Sequence, residues 1–118
     1  MTPHLLTHFA GGARFTAHSS RTAPVFNPAS GQVAGHLPLA DATDIERIVA
    51  DALLAAPAWG QRSGVDRARI LFRFRELCLA SVDELSRLIT AEHGKVLADA
   101  RGEVLRGIEV IEFACGIP

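Results

Sequence analysis

Gly102-Glu103-Val104-Leu105-Arg106-Gly107-Ile108-Glu109-Val110-Ile111-Glu112-Phe113-Ala114-Cys115 reads as a helix with two working sides. At about 100° per residue, Val104, Ile108, Ile111 and Cys115 fall on one side. Gly102, Arg106, Glu109, Val110 and Phe113 fall on the other. A surface helix needs only one apolar stripe. The second side mixes apolar residues, glycines and an arginine, which predicts that it packs against another element or lines a cleft. Gly102 and Gly107 each weaken a helix by about 1 kcal/mol relative to alanine, which points to close approach by a neighbour. The pattern begins near Ala98 and is still running at Ala114. A chain of 118 residues has few elements to cover both sides, so the expectation is a piece of a larger fold.

Upstream, three more helices are predicted. The first runs from about Thr43 to Ala56, with Ile45, Ile48, Val49, Ala52 and Leu53 on one stripe. Either Asp41 with Asp44 or Thr43 with Glu46 caps it, and Pro57 ends it. Ser63 caps the second, with Ile70, Phe74, Leu77 and Cys78 inward and Arg69, Arg73 and Glu76 outward. Ser81-Val82-Asp83-Glu84 is a capping box for the third, which places Leu85, Leu88 and Ile89 inward and stops at Gly94. The first 40 residues read instead as β hairpins and turns. Phe9 and Phe15 flank Gly11-Gly12, a dipeptide that permits positive φ and so a tight turn. A second strand pair is predicted around Val25-Phe26 and Gln32 to Leu37, joined by Asn27-Pro28-Ala29-Ser30-Gly31. Residues 1–40 are therefore expected as β hairpins and 41–118 as helices.

Composition excludes several classes. With 48% apolar residues and a formal net charge of −1, the chain is neither disordered nor a dedicated nucleic-acid binder. No apolar run approaches the roughly 18 residues of a membrane span, so no membrane partner is expected. Two cysteines cannot make a disulfide framework, and a cytoplasmic setting follows as the expectation. All 13 acidic residues lie between Asp41 and Glu112. The acid-poor start could be a transit peptide, but Gly11-Gly12, Pro24, Pro28 and Pro38 break any amphipathic helix there.

Little catalytic chemistry is visible. There is no G-x-G-x-x-G, no phosphate loop and no C-x-x-C. His4 and His8 lack a third metal ligand. Cys78 and Cys115 lie on helix core faces without an activating base and read as small apolar residues. His93 reads as a C-terminal packing residue. Arg62, Arg67, Arg69, Arg73 and Arg75 spread around the second helix near Asp66 and Glu76, which describes a solvated face.

A resemblance adds to this reading. Phe26-Asn27-Pro28-Ala29-Ser30-Gly31-Gln32-Val33 resembles the FNPATGEV segment near the start of aldehyde dehydrogenases. Pro57-Ala58-Trp59, Arg67 through Phe74 (RARILFRF) and Glu92-His93-Gly94-Lys95 follow in that superfamily's order. The stretches Gly102–Glu109 and Glu112–Pro118 are similar to the CoA-acylating, methylmalonate-semialdehyde dehydrogenase branch. The similarity runs from about His8 to the last residue, over the N-terminal part of much longer family members.

The resemblance implies an α/β parent fold, of which residues 1–118 would be the first part of an NAD-binding domain. It implies NAD-dependent oxidation of a (methyl)malonate-type semialdehyde through a cysteine thiohemiacetal. Coenzyme A would be co-substrate, and the parent would be a homo-oligomer. The nucleophile, its Asn and Glu partners and the pyrophosphate glycines lie downstream, so this chain by itself is expected to be inactive. It carries no catalytic, cofactor-binding or metal residue on this reading. Arg106 matches the arginine of the GEVxRGIE motif and is expected to hold the substrate carboxylate. The alternative for Arg106 is an ion pair with Glu103 or Glu109. A general aldehyde dehydrogenase without CoA chemistry and a non-catalytic helical interaction module are the competing expectations.

Overall fold

A computed structural model describes residues 4–118, in two units that divide between Gln61 and Arg62. In the first unit, β2 (His8–Ala10) and β3 (Ala13–Phe15) form the hairpin expected around Gly11-Gly12. Both glycines take positive φ, 59° and 78°, which a two-residue turn needs and side chains resist. His8 stands opposite Phe15, their rings stacked 5.2 Å apart, and its Nε2–H donates to the Pro38 carbonyl at 2.7 Å. β4 (Thr22–Phe26) and β5 (Val33–Pro38) pair antiparallel, as their alternation predicts. The turn between them is held by Asn27, whose Oδ1 accepts from the backbone N–H of Ala29 and Ser30.

The hairpins are not the whole of the β structure. β1 (His4–Leu5) pairs in parallel with β5, giving a mixed sheet in the order β1-β5-β4. A parallel pair needs a long return connection, usually a helix. Here residues 6–32, carrying β2, β3 and β4, make that return instead. A helix-based rule for recognising parallel pairing misses this arrangement. The pairing also explains Gly35: a Cβ there would lie 2.8 Å from the His4 carbonyl oxygen.

α1 (Ala42–Gly60) follows β5. Of the two possible caps, Asp41 is the one used. Its Oδ1 accepts from the Asp44 N–H at 3.0 Å while Asp44 Oδ2 accepts from the Asp41 N–H at 3.2 Å. Pro57 does not end the helix; it lies inside it. Proline there forfeits only its own missing N–H, and Gln61 still donates to the Pro57 carbonyl at 3.0 Å. Along the predicted stripe only Ile48 is half-buried, whereas Ile45, Val49 and Leu53 are exposed.

The second unit is three helices: α2 (Gly64–Ala80), α3 (Val82–His93) and α4 (Leu97–Ala114). Ser63 caps α2, accepting from the Asp66 N–H and donating its hydroxyl to Asp66 Oδ2. The predicted capping box of α3 does not form. Ser81 ends α2, donating its N–H to the Cys78 carbonyl, and its ψ of 13° is not the extended conformation from which a cap side chain reaches forward. Gly94 closes α3 in the left-handed conformation. The core of this unit is Val82, Val104 and Ile108, with Cys78, Leu85 and Ile89 packed against it. The inward face of α2 differs from the expectation: Leu71, Arg75 and Cys78 turn inward, and Ile70, Phe74 and Leu77 are exposed. On α3, Val82 and Ser86 are buried and Leu88 is exposed. α4 follows the expectation on its core side, with Val104, Ile108 and Cys115 buried and Ile111 half-buried, whereas Val110 and Phe113 on the other side are exposed.

Candidate functional site

Arg106 is carried by α4. The helix is anchored by Ala100, Val104 and Ile108, one turn apart and all buried. A residue two places on from Val104 is turned about 200° away from that anchor, so Arg106 is exposed. Gly102, Glu109, Val110 and Phe113 share its side of the helix. Val110 and Phe113 are 63% and 77% exposed, large values for apolar side chains. Within the second unit a Cβ added at Gly102 or Gly107 would meet nothing within 4 Å, so the close approach expected of both glycines is not made there.

Glu103 is taken by Lys95, whose Nζ lies 2.5 Å from its Oε1, and this hydrogen bond holds the Glu103 carboxyl below its usual range. Among the described residues no acid lies within ion-pair distance of Arg106, Glu109 included. Arg106 shares its side of α4 with glycine and apolar side chains, and its charge adds a smaller share, after Lys95 and His93, to the lowering of the Glu103 carboxyl. A guanidinium can take a carboxylate in a two-point fork.

The remaining predicted residues sort as follows. Cys115 is buried, and Cys78 lines an apolar groove of about 280 Å³ with Leu85, Leu88, Ile89, Val104 and Ile108. Among the described residues no three His, Cys, Asp or Glu gather as a metal site. The α2 arginines are less uniform than a solvated face: Arg69 pairs with Asp66, but Arg75 bridges to Glu112 on α4 at 2.5 Å and to Glu76 at 2.6 Å. Sequence spacing missed one group altogether. Asp44 is fully buried and accepts from the His18 ring Nδ1–H at 2.6 Å and the His18 backbone N–H at 3.1 Å. These residues are 26 apart in sequence, and no local pattern marks them.

The model of the aldehyde dehydrogenase family matches residues 15–118. The chain belongs to the aldehyde dehydrogenase family. Malonate-semialdehyde dehydrogenase of Bacillus pumilus is 42% identical over 114 residues, covering 97% of this chain and 24% of that protein. Malonate-semialdehyde dehydrogenase 3 of Geobacillus kaustophilus is 45% identical over 113 residues, covering 96% and 23%. A structure from Sinorhizobium meliloti, assigned as a methylmalonate-semialdehyde dehydrogenase and complexed with NAD, superposes with a TM-score of 0.92 at 39% identity. It covers 98% of this chain and 24% of its own. The chain thus spans about a quarter of the length of these aldehyde dehydrogenases.

The described residues of this aldehyde dehydrogenase chain do not fit NAD. α1 is the helix that follows a strand, the usual place for a pyrophosphate. Its N-terminus is closed by the Asp41 and Asp44 carboxylates, which would repel a phosphate. Glycines with positive φ sit in strand-to-strand turns and at the end of α3, where they form no phosphate cradle. No helix of the described residues is long and apolar enough to cross a membrane.

Proposed function

We propose that these residues form the N-terminal part of the cofactor-binding domain of an NAD-dependent semialdehyde dehydrogenase, oxidising a malonate- or methylmalonate-type semialdehyde to an acyl-CoA. The observation that carries this reading is the match of 97% of the chain to a malonate-semialdehyde dehydrogenase. The proposal includes the CoA-acylating outcome, a cytoplasmic setting and assembly as a homo-oligomer. The nucleophilic cysteine is assigned to sequence beyond this chain. A catalytic thiol needs an activating base and donors for the oxyanion, whereas Cys115 is buried and Cys78 lines an apolar groove. The 118 residues by themselves are accordingly inactive.

Arg106 is proposed as the residue that holds the substrate's carboxylate. Its support is its exposed place on the outer side of α4, with Glu103 already engaged by Lys95. A charge-assisted hydrogen-bonded pair contributes about 1.5–3 kcal/mol, which is about ten- to hundredfold in affinity. The test is Arg106→Leu in a full-length enzyme that includes these residues. KM for the carboxylate-bearing semialdehyde should rise about tenfold or more, while kcat/KM for an uncharged aldehyde of similar length stays unchanged. An equal loss on both substrates would make Arg106 structural, and no change on either would remove it from the site. Release of acyl-CoA rather than free acid by the same enzyme tests the acylating branch.

A further inference from the structure

Lys95 stands between α3 and α4, directly after Gly94 closes α3 in the left-handed conformation. For helix stability this is a poor place for a cation, because the start of α4 carries the positive end of the helix dipole. The lysine is nevertheless held there, its side chain only 20% exposed and its Nζ 2.5 Å from Glu103 Oε1. Helix spacing alone offers Glu103 a different partner. Arg106 follows it by three residues with the acid on the N-terminal side, the order that favours an ion pair along a helix. Among the described residues that pair is not made, and Glu103 bonds to Lys95 instead. The Lys95 hydrogen bond is the main cause that lowers the Glu103 carboxyl, and the charges of Lys95, His93 and Arg106 add smaller shares. Arg106 is thus near enough for its charge to be felt, without a bond.

We propose that Lys95 is a positioning residue for substrate binding: by holding Glu103 it keeps that carboxylate off Arg106 and leaves the guanidinium to the substrate's own carboxylate. The role rests on Arg106 as the residue that holds that carboxylate. An acid three residues away on the same helix is an intramolecular competitor, with an effective concentration of about millimolar order or above. It occupies the arginine unless another cation takes it first. An unneutralised Glu103 would also repel an incoming carboxylate, so both effects act in the same direction. The half-buried stem of Lys95 restricts its ammonium, which makes it a better claimant on Glu103 than a freely moving surface lysine.

The test uses a full-length enzyme that includes these residues, assayed with malonate semialdehyde and with propanal, an uncharged aldehyde of the same chain length. Lys95→Met should raise KM for malonate semialdehyde about three- to fivefold while kcat and the propanal kcat/KM hold. Adding Glu103→Gln to Lys95→Met should bring KM back, because no carboxylate is then left to compete. A lysine that only supports the fold gives a different pattern. An equal loss on both substrates, or a raised KM that Glu103→Gln does not restore, overturns the proposal. So does an unchanged KM in Lys95→Met. Arg106→Leu, measured alongside, separates this role from the reading beneath it. A raised KM there with none in Lys95→Met removes Lys95 alone, whereas no effect of Arg106→Leu removes the substrate role of Arg106 and the role of Lys95 with it.

Discussion

At the scale of single residues, Asp44 does more than its place in a capping box requires. Its two oxygens accept from the Asp41 N–H, the His18 N–H and the His18 ring, so one buried carboxylate ties residue 18 to the start of α1. The His18 hydrogen bond, with the Asp41 and His18 backbone bonds, holds its carboxyl below the ordinary 3.8 despite desolvation. A carboxyl lowered on folding contributes stability above its unfolded value and loses it as pH falls through the folded one. Thermal stability should therefore decline as pH drops below about 4, and Asp44→Asn should flatten that part of the pH profile in a series of melts. Asp41→Ala removes a cap worth about 1 kcal/mol, measurable by urea unfolding. A cap at this helix start was legible because its partners are three residues apart, but Thr43 with Glu46 has the same spacing, and the structure chose Asp41. His18 was not, because a hydrogen bond across 26 residues leaves no spacing to read.

Among the elements, α4 and α2 make the sharpest contrast. In α4 the predicted core side is the observed one, because Val104, Ile108, Ile111 and Cys115 form an unbroken apolar stripe while the opposite side is interrupted by Gly102, Arg106 and Glu109. In α2 apolar residues occur on both sides, and periodicity cannot rank two stripes. The structure turns Leu71 and Cys78 inward, leaving Ile70, Phe74 and Leu77 outside. Pro57 teaches a related point: a proline near a helix end removes one hydrogen bond, and three further residues keep helical geometry. Gly102 allows a direct measurement. With open space where a Cβ would sit, Gly102→Ala should stabilise the 118-residue chain by about 1 kcal/mol in chemical denaturation. Destabilisation would mean that the site is crowded after all.

For the whole molecule, the core is small and the apolar exposure large. Val82, Val104 and Ile108 form the central cluster of the second unit, so Ile108→Ala should cost about 2–5 kcal/mol and remove much of that unit's cooperativity in a urea melt. Family membership was legible throughout, since short motifs in a fixed order survive without any knowledge of packing. Local chemistry also determined the hairpin at Gly11-Gly12, the Asn27 turn and the core side of α4, because each depends on residues within a few positions of one another. Only the tertiary structure decided the parallel β1–β5 pair, the burial of Asp44 against His18, the inward face of α2, the choice of Asp41 over Thr43 as the α1 cap and the pairing of Lys95 with Glu103. Those features depend on which surfaces meet in space, where the free energy of burial and pairing chooses among faces that the local pattern leaves equivalent.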